Sequence, residues 1–198
     1  MLKSKFKTED MTIHLGLLFS NLGLSPNAWT LLALIPAILG FLSLVSCHDL
    51  IKGVGFFILA GLIDAIDGAV ARVTGKATSF GAFLDGIIDR YVELLLYLGL
   101  LFYGVSGFWI SLLIFGSIMP SFVRAYSHHR GVIKDKKKQK EMGGLIERAE
   151  RLILVYIAMI LGIFNFIFLK HMIILIAILS NFTVFQRIWF VFKYNKLD

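Results

Sequence analysis

Four aspartates within one short stretch, Asp64, Asp67, Asp85 and Asp89, are the residues of this sequence best suited to chemistry. They lie in LIDAIDGAVARVTGKATSFGAFLDGIIDR, residues 62–90, together with Arg72 and Arg90. Asp64 and Asp67 have i, i+3 spacing, and Asp85 and Asp89 have i, i+4. Each pair therefore projects from one face of a helix. Carboxylates gathered in this way repel, and need a counter-charge or protonation. An all-oxygen donor set suits a hard divalent cation such as Mg²⁺, Mn²⁺ or Ca²⁺, and no His or Cys cluster points to zinc. Gly68 leaves the backbone beside Asp67 open to a ligand, and Arg72, one turn on, can neutralise a phosphate. Acids, glycine, arginine and a metal together describe a diphosphate site. Two other readings stay open. The acids could pair with Arg72 and Arg90, or they could line the ion path of a cation transporter.

The elements that must position these residues are membrane helices. The chain has 198 residues, 58% of them hydrophobic and 17% charged, with a mean hydropathy of +0.80. That excess excludes an ordinary soluble domain. Apolar runs at 28–47, 51–71, 83–105, 107–127, 152–169 and 171–192 each approach the ~20 residues that cross a bilayer core. Polarity does not alternate along them, which excludes a β-barrel. The predicted fold is an all-α polytopic membrane protein, with six transmembrane helices in one domain over 1–198. Residues 1–23 carry Lys3, Lys5 and Lys7 and then an apolar segment broken by Gly16 and Asn21. No small-residue cleavage site follows, so an amphipathic helix on the membrane surface is expected rather than a signal peptide.

The acidic pairs fall at the end of the second span and the start of the third. A short turn containing Gly75 and Gly81 joins them, which makes the two helices antiparallel neighbours and lets the carboxylates converge. One cysteine, Cys47, rules out an internal disulfide. The net charge of +7 does not indicate nucleic acid, because all Lys and Arg except Lys52 and Lys170 fall on one side of the six-span topology. That side is the cytoplasm, and it holds both termini and the acidic pairs. The stretch KDKKKQK, 134–140, reads as a solvated loop near anionic headgroups. His128 and His129 read as surface residues. Pro120, within the fourth span, should bend that helix.

The stretch from Asp64 to Asp89 matches without a gap the pattern D-x2-D-G-x2-A-R-x8-G-x3-D-x3-D, and so resembles the CDP-alcohol phosphotransferase family. The resemblance implies six transmembrane helices, a site on the cytoplasmic side and a homodimer. It implies two metal ions, Mg²⁺ first and Mn²⁺ as an alternative, held by Asp64, Asp67 and Asp85. Asp89 would be partly a ligand and chiefly the general base. Asn27 and Thr30 of SPNAWT, with Gly68, Arg72 and Thr78, would hold the donor, CDP-diacylglycerol or CDP-archaeol. An acceptor alcohol would attack the lipid-side phosphorus, and CMP would leave.

Three arginines at span ends, Arg124, Arg151 and Arg187, either snorkel to headgroups or clamp a phosphate. Their segments, above all GLIERAER, are similar to the branch of the family that uses inositol 1-phosphate as acceptor. Tyr126 departs from that branch, which usually has an arginine there. The run DRYVELLLYLG lacks the Ser-Phe-Gly stretch that would suggest serine, and glycerol 3-phosphate is the competing acceptor.

Overall fold

The computed structural model describes residues 13–195, and all regular structure among them is helical. Residues 13–20 form α1. The helices that follow are α2 (Pro26–Leu32), α3 (Leu34–Val45), α4 (Leu50–Val73), α5 (Ser79–Tyr103), α6 (Gly107–His129), α7 (Lys136–Glu141), α8 (Arg148–Phe164) and α9 (Phe166–Asn195). Four stretches are long and apolar enough to cross a membrane: Pro26–Val45, α4, α6 and α9. The other two expected spans correspond to α5 and α8. The first has 25 residues but carries Asp85, Asp89, Arg90 and Glu93; the second has 17 residues. Large apolar side chains stand exposed along the long helices, among them Ile35, Leu62, Phe115 and Phe185. Such a surface is excluded from water only in lipid or at a partner.

The chain divides into two compact units, Met1–Gly99 and Leu100–Asp198, with the boundary inside α5. In the first unit, the Ser25 side chain accepts from Ala28 N to cap α2, and Pro26 occupies its first turn, where no amide donor is missed. The expected first span is broken at Ala33. Pro36 accounts for the break, because its ring crowds the Leu32 carbonyl and offers it no hydrogen bond. Leu44 of α3 is fully buried and fills the space beside two glycines. A Cβ on Gly53 would lie 2.6 Å from Leu44 Cδ2, and one on Gly99 2.7 Å from Leu44 Cδ1. α4 stops at Thr74, Gly75 turns the chain with φ +65°, and the Thr78 hydroxyl accepts from Gly81 N at 2.9 Å to start α5. This turn delivers the two aspartate pairs to one place. α1 lies on the same end, with Phe19 edge-on to Trp29 at 5.4 Å beside Ile66 and Val70. The rest of the expected surface helix, 1–12, lies outside the described residues.

In the second unit α6 and α9 approach closely at Gly116. A Cβ there would meet Ser180 Cβ at 2.8 Å and Asn181 N at 3.1 Å. Asn181 Nδ2 donates across to Leu112 O at 2.9 Å and to Ala177 O at 2.8 Å. The last two helices divide at Asn165, not near Lys170 as the charge pattern suggests. Asn165 ends α8 in extended backbone, and its Oδ1 accepts from Ile167 N to start α9. Lys170 instead lies inside α9, over the Phe166 ring at 4.5 Å. The polar insertion after α6 is more ordered than a solvated loop. Asp135 caps the short α7, and Ile133 and Met142 bury themselves completely.

Gly116→Val should therefore separate α6 from α9 and lower the thermal unfolding midpoint in detergent, at a cost of about 1–3 kcal/mol. An unchanged midpoint would show that the contact yields freely.

Candidate functional site

The first unit gathers three of the four aspartates. One carboxylate oxygen from each of Asp64, Asp67 and Asp85 lies within 4.8 Å of the others. Asp64 and Asp67 come from the last turns of α4, and Asp85 from the second turn of α5. Asp67 is 7% exposed, and the Thr30 hydroxyl of α2 donates to its Oδ2. That bond fixes one carboxylate oxygen. Asp85 and Asp89 both add negative charge at Asp67. A cluster of this kind is stable only with cations close by. The donor chemistry fits a hard divalent cation: three carboxylates from two helices, with no thiol or imidazole among them. Asp89 follows one turn later on α5 and is 8% exposed, outside the three-carboxylate group.

A cavity of about 190 Å³ opens beside the cluster. Asn27, Thr30, Gly68, Arg72 and Thr78, the residues expected to hold a nucleotide diphosphate, all line it together with Asp67 and Asp85. Three lining residues escaped the sequence reading as contributors to the pocket. Lys76, in the turn, adds a second cation beside Arg72. Ala82 belongs, with Thr78 and Gly81, to the opening of α5, where free backbone N–H groups and the helix dipole favour an anion. Gly81 is in the motif, and its role is steric. A Cβ would sit 3.1 Å from Asn27 Oδ1 and 3.2 Å from Thr78 Oγ1, crowding two cavity side chains. Thr78 thus both caps α5 and lines the cavity.

The second unit gathers the three arginines from α6, α8 and α9. Arg187 Nη1 donates to Pro120 O at 2.7 Å, and Arg124 Nη2 donates to Met142 O at 3.0 Å. Arg151 is 2% exposed. The positive charges of Arg124 and Arg151 both bear on Arg187, so the three act as one cationic centre. The Nε atoms of Arg124 and Arg187 are buried with no hydrogen-bond partner among the described residues, and such donors are uncommon unless an acceptor is to arrive. Glu147, which the sequence did not single out, sets its Oε1 3.6 Å from Arg187 Nη2. Thr183 and Gln186 hold the chain before it: Ile146 N donates to Thr183 Oγ1 at 3.1 Å and Leu145 N to Gln186 Oε1 at 2.7 Å.

Tyr126 stands elsewhere. It stacks on Phe122 at 5.2 Å and carries Arg130 over its ring at 5.9 Å, in a separate apolar groove of about 510 Å³. His128 and His129 are exposed, and His128 Nδ1 meets Gln139 Nε2 at 2.6 Å.

Residues 23–185 match the model of the CDP-alcohol phosphatidyltransferase family. The chain is 30% identical to the archaetidylinositol phosphate synthase of Pyrococcus horikoshii, over 94% of each chain. It is 33% identical to the phosphatidylinositol phosphate synthase of Mycobacterium marinum, over 86% of this chain and 74% of that one. Among solved structures it is similar to the phosphatidylinositol phosphate synthase of Mycobacterium tuberculosis with CDP-DAG bound. That match has 28% identity and a TM-score of 0.78, and covers 92% of this chain and 94% of the other. The same enzyme in complex with manganese and citrate also matches, with 29% identity and a TM-score of 0.78 over 91% and 88% of the chains.

Thr30→Val keeps the side-chain volume and removes the hydroxyl that orients Asp67. Manganese titration of the purified protein, followed by electron paramagnetic resonance, should show affinity reduced about 10-fold or more. Asp85→Asn should reduce it further. Equal affinity in wild type and Thr30→Val would show that this hydroxyl does not prepare the carboxylate.

Proposed function

The chain belongs to the CDP-alcohol phosphatidyltransferase family, and on that premise we propose that it transfers a phosphatidyl or archaetidyl group from a CDP-lipid to inositol 1-phosphate, releasing CMP. The single observation that carries this reading is the group of three carboxylates from α4 and α5 beside a cavity lined by the five expected donor-binding residues.

Asp64, Asp67 and Asp85, with Asp89 contributing, would hold two divalent ions, Mg²⁺ or in its place Mn²⁺. When bound, these ions supply charge neutralisation at the donor diphosphate. The protein's own residues do the rest. Arg72 and Lys76 place positive charge at the cavity, and the first turn of α5 adds backbone donors. Gly68 presents backbone without a side chain. Asn27 and Thr78, kept close by Gly81, offer polar groups to the nucleotide. Asp89 takes the proton of the acceptor hydroxyl as that oxygen attacks the lipid-side phosphorus, since an alcohol is too weak a nucleophile unaided. The bond to CMP breaks, and CMP leaves with the electron pair. Arg124, Arg151 and Arg187 hold the acceptor's phosphate, for which their buried N–H groups are suited. Because Tyr126 lies outside this cluster, its departure from the inositol-phosphate pattern leaves the three arginines in place.

In the membrane, the Pro26–Val45 pair, α4, α5, α6, α8 and α9 would make six spans. The distribution of Lys and Arg puts both termini and the catalytic residues on the cytoplasmic side, and a homodimer is the assembly expected of the family resemblance.

Purified protein in detergent should release CMP from CDP-diacylglycerol or CDP-archaeol only when Mg²⁺ and an acceptor are both present. Inositol 1-phosphate should outperform glycerol 3-phosphate, free inositol and serine. A cation transporter would release none, and a preference for glycerol 3-phosphate would reassign the acceptor. Asp89→Asn should lower turnover by about 10² or more while CDP-lipid still binds; unaltered turnover would remove Asp89 from its role as base.

A further inference from the structure

Glu147 brings a negative charge to a centre otherwise made of arginines. Its carboxylate stands 3.6 Å from Arg187 Nη2, with the Glu147 side chain 56% exposed and that of Arg187 6%. This is longer than the 2.7–2.9 Å typical of a charge-assisted hydrogen bond, so the carboxylate acts on Arg187 mainly through its charge. Its position is nevertheless fixed. Glu147 is the N-cap of α8 in a reciprocal capping box, in which its own N–H donates to Glu150 Oε2 at 2.9 Å. Leu145 and Ile146 are tied to Gln186 and Thr183 of α9, which seats the segment. The protein therefore holds a carboxylate next to a cluster that keeps two buried N–H donors unpaired. If stability alone governed this arrangement, the acid would be expected to bond those donors.

The charges account for it better. Three guanidinium groups and one carboxylate leave two positive charges, and a phosphate monoester near neutral pH carries about −1.5 to −2. We propose that Glu147 is the charge-matching residue of the acceptor-phosphate site, trimming the three arginines to suit a phosphate monoester and disfavouring anions of higher charge. This rests on the reading of Arg124, Arg151 and Arg187 as that site. The acid thereby lowers the site's affinity for every anion and most for the highly charged ones, which is specificity obtained by repulsion.

Glu147→Gln tests it, because the amide oxygen can still cap α8 while the charge is gone. The full-length protein in detergent, with EDTA and without CDP-lipid, is titrated with inorganic phosphate and inorganic pyrophosphate by equilibrium dialysis at low ionic strength. The Gln variant should bind phosphate about threefold tighter and pyrophosphate about tenfold tighter, and both gains should shrink in high salt. Glu147→Asp, which keeps both charge and capping ability, should retain the wild-type ratio of the two affinities. Weaker binding by the Gln variant, or an unchanged ratio, would leave Glu147 as a helix cap only and overturn the proposal. Arg187→Gln serves as the control: if it binds phosphate as well as wild type does, the acceptor-site reading fails before Glu147 is considered.

Discussion

Three carboxylates whose oxygens lie within 4.8 Å of one another, on helices otherwise rich in apolar residues, are the constraint around which the first unit is built. Like charges at that separation in a poorly solvated place are costly. The local structure is arranged to bear this cost and not to remove it. Thr30 donates to Asp67, Arg72 stands a turn away at the cavity wall, and the cavity leaves room for cations and diphosphate. Gly75, with its positive φ, and Thr78, as a cap, keep the connection between α4 and α5 short. A longer connection would let the two pairs drift apart and relax the repulsion. The tight turn thus maintains the electrostatic tension that a bound cation would relieve.

The second unit applies the same logic with the opposite sign. Arg124 and Arg187 are partly satisfied by backbone carbonyls, Met142 O and Pro120 O, which offset charge without cancelling it. A full complement of carboxylates would neutralise the centre and remove any use for it. The Pro120 bond also gives that proline a role beyond helix shape, since its carbonyl is the anchor that orients Arg187. The exposed ring of Tyr126 shows how much position matters at a helix end. It is two residues from Arg124, and so on a different face, and it joins an apolar groove.

Spacing alone made the aspartate site legible, because the i, i+3 and i, i+4 intervals fix a helix face before any fold is known. The five donor-binding positions came through the family pattern, and the structure brings all five to one cavity. What spacing could not supply was contact between elements distant in sequence. The Thr30–Asp67 bond joins residues 37 apart, and Glu147 meets Arg187 across a comparable interval. Helix ends were misplaced where a polar cap outweighed a charge. Asn165, uncharged, ends α8 by capping α9, while Lys170 continues the helix by laying its ammonium over Phe166. Charge marks a boundary only when the side chain has nowhere better to go. The lysine-rich insertion looked like loop because its helix is a single capped piece of six residues, too short for any periodicity to show.

α5 shows why composition and function pull against each other in such a chain. Asp85, Asp89, Glu93 and Tyr97 recur every fourth residue and so share one face, which makes the helix a poor membrane span by composition. Below the two aspartates, Glu93 is 2% exposed. Arg90 Nη1 meets it at 2.8 Å, and the Tyr97 hydroxyl donates to it at 3.4 Å. That acid is answered within its own helix, whereas Asp85 joins an acidic group from α4. The polar stripe therefore changes character along its length. Its first turns gather charge that calls for a ligand, and the next turn pairs its charge internally so that the helix can continue into apolar surroundings. Moving the Arg90–Glu93 pair one turn toward the N-terminus would place a guanidinium among the aspartates and compete with any cation there. The order of charges along α5, more than their number, separates a metal-binding helix from a merely salt-bridged one.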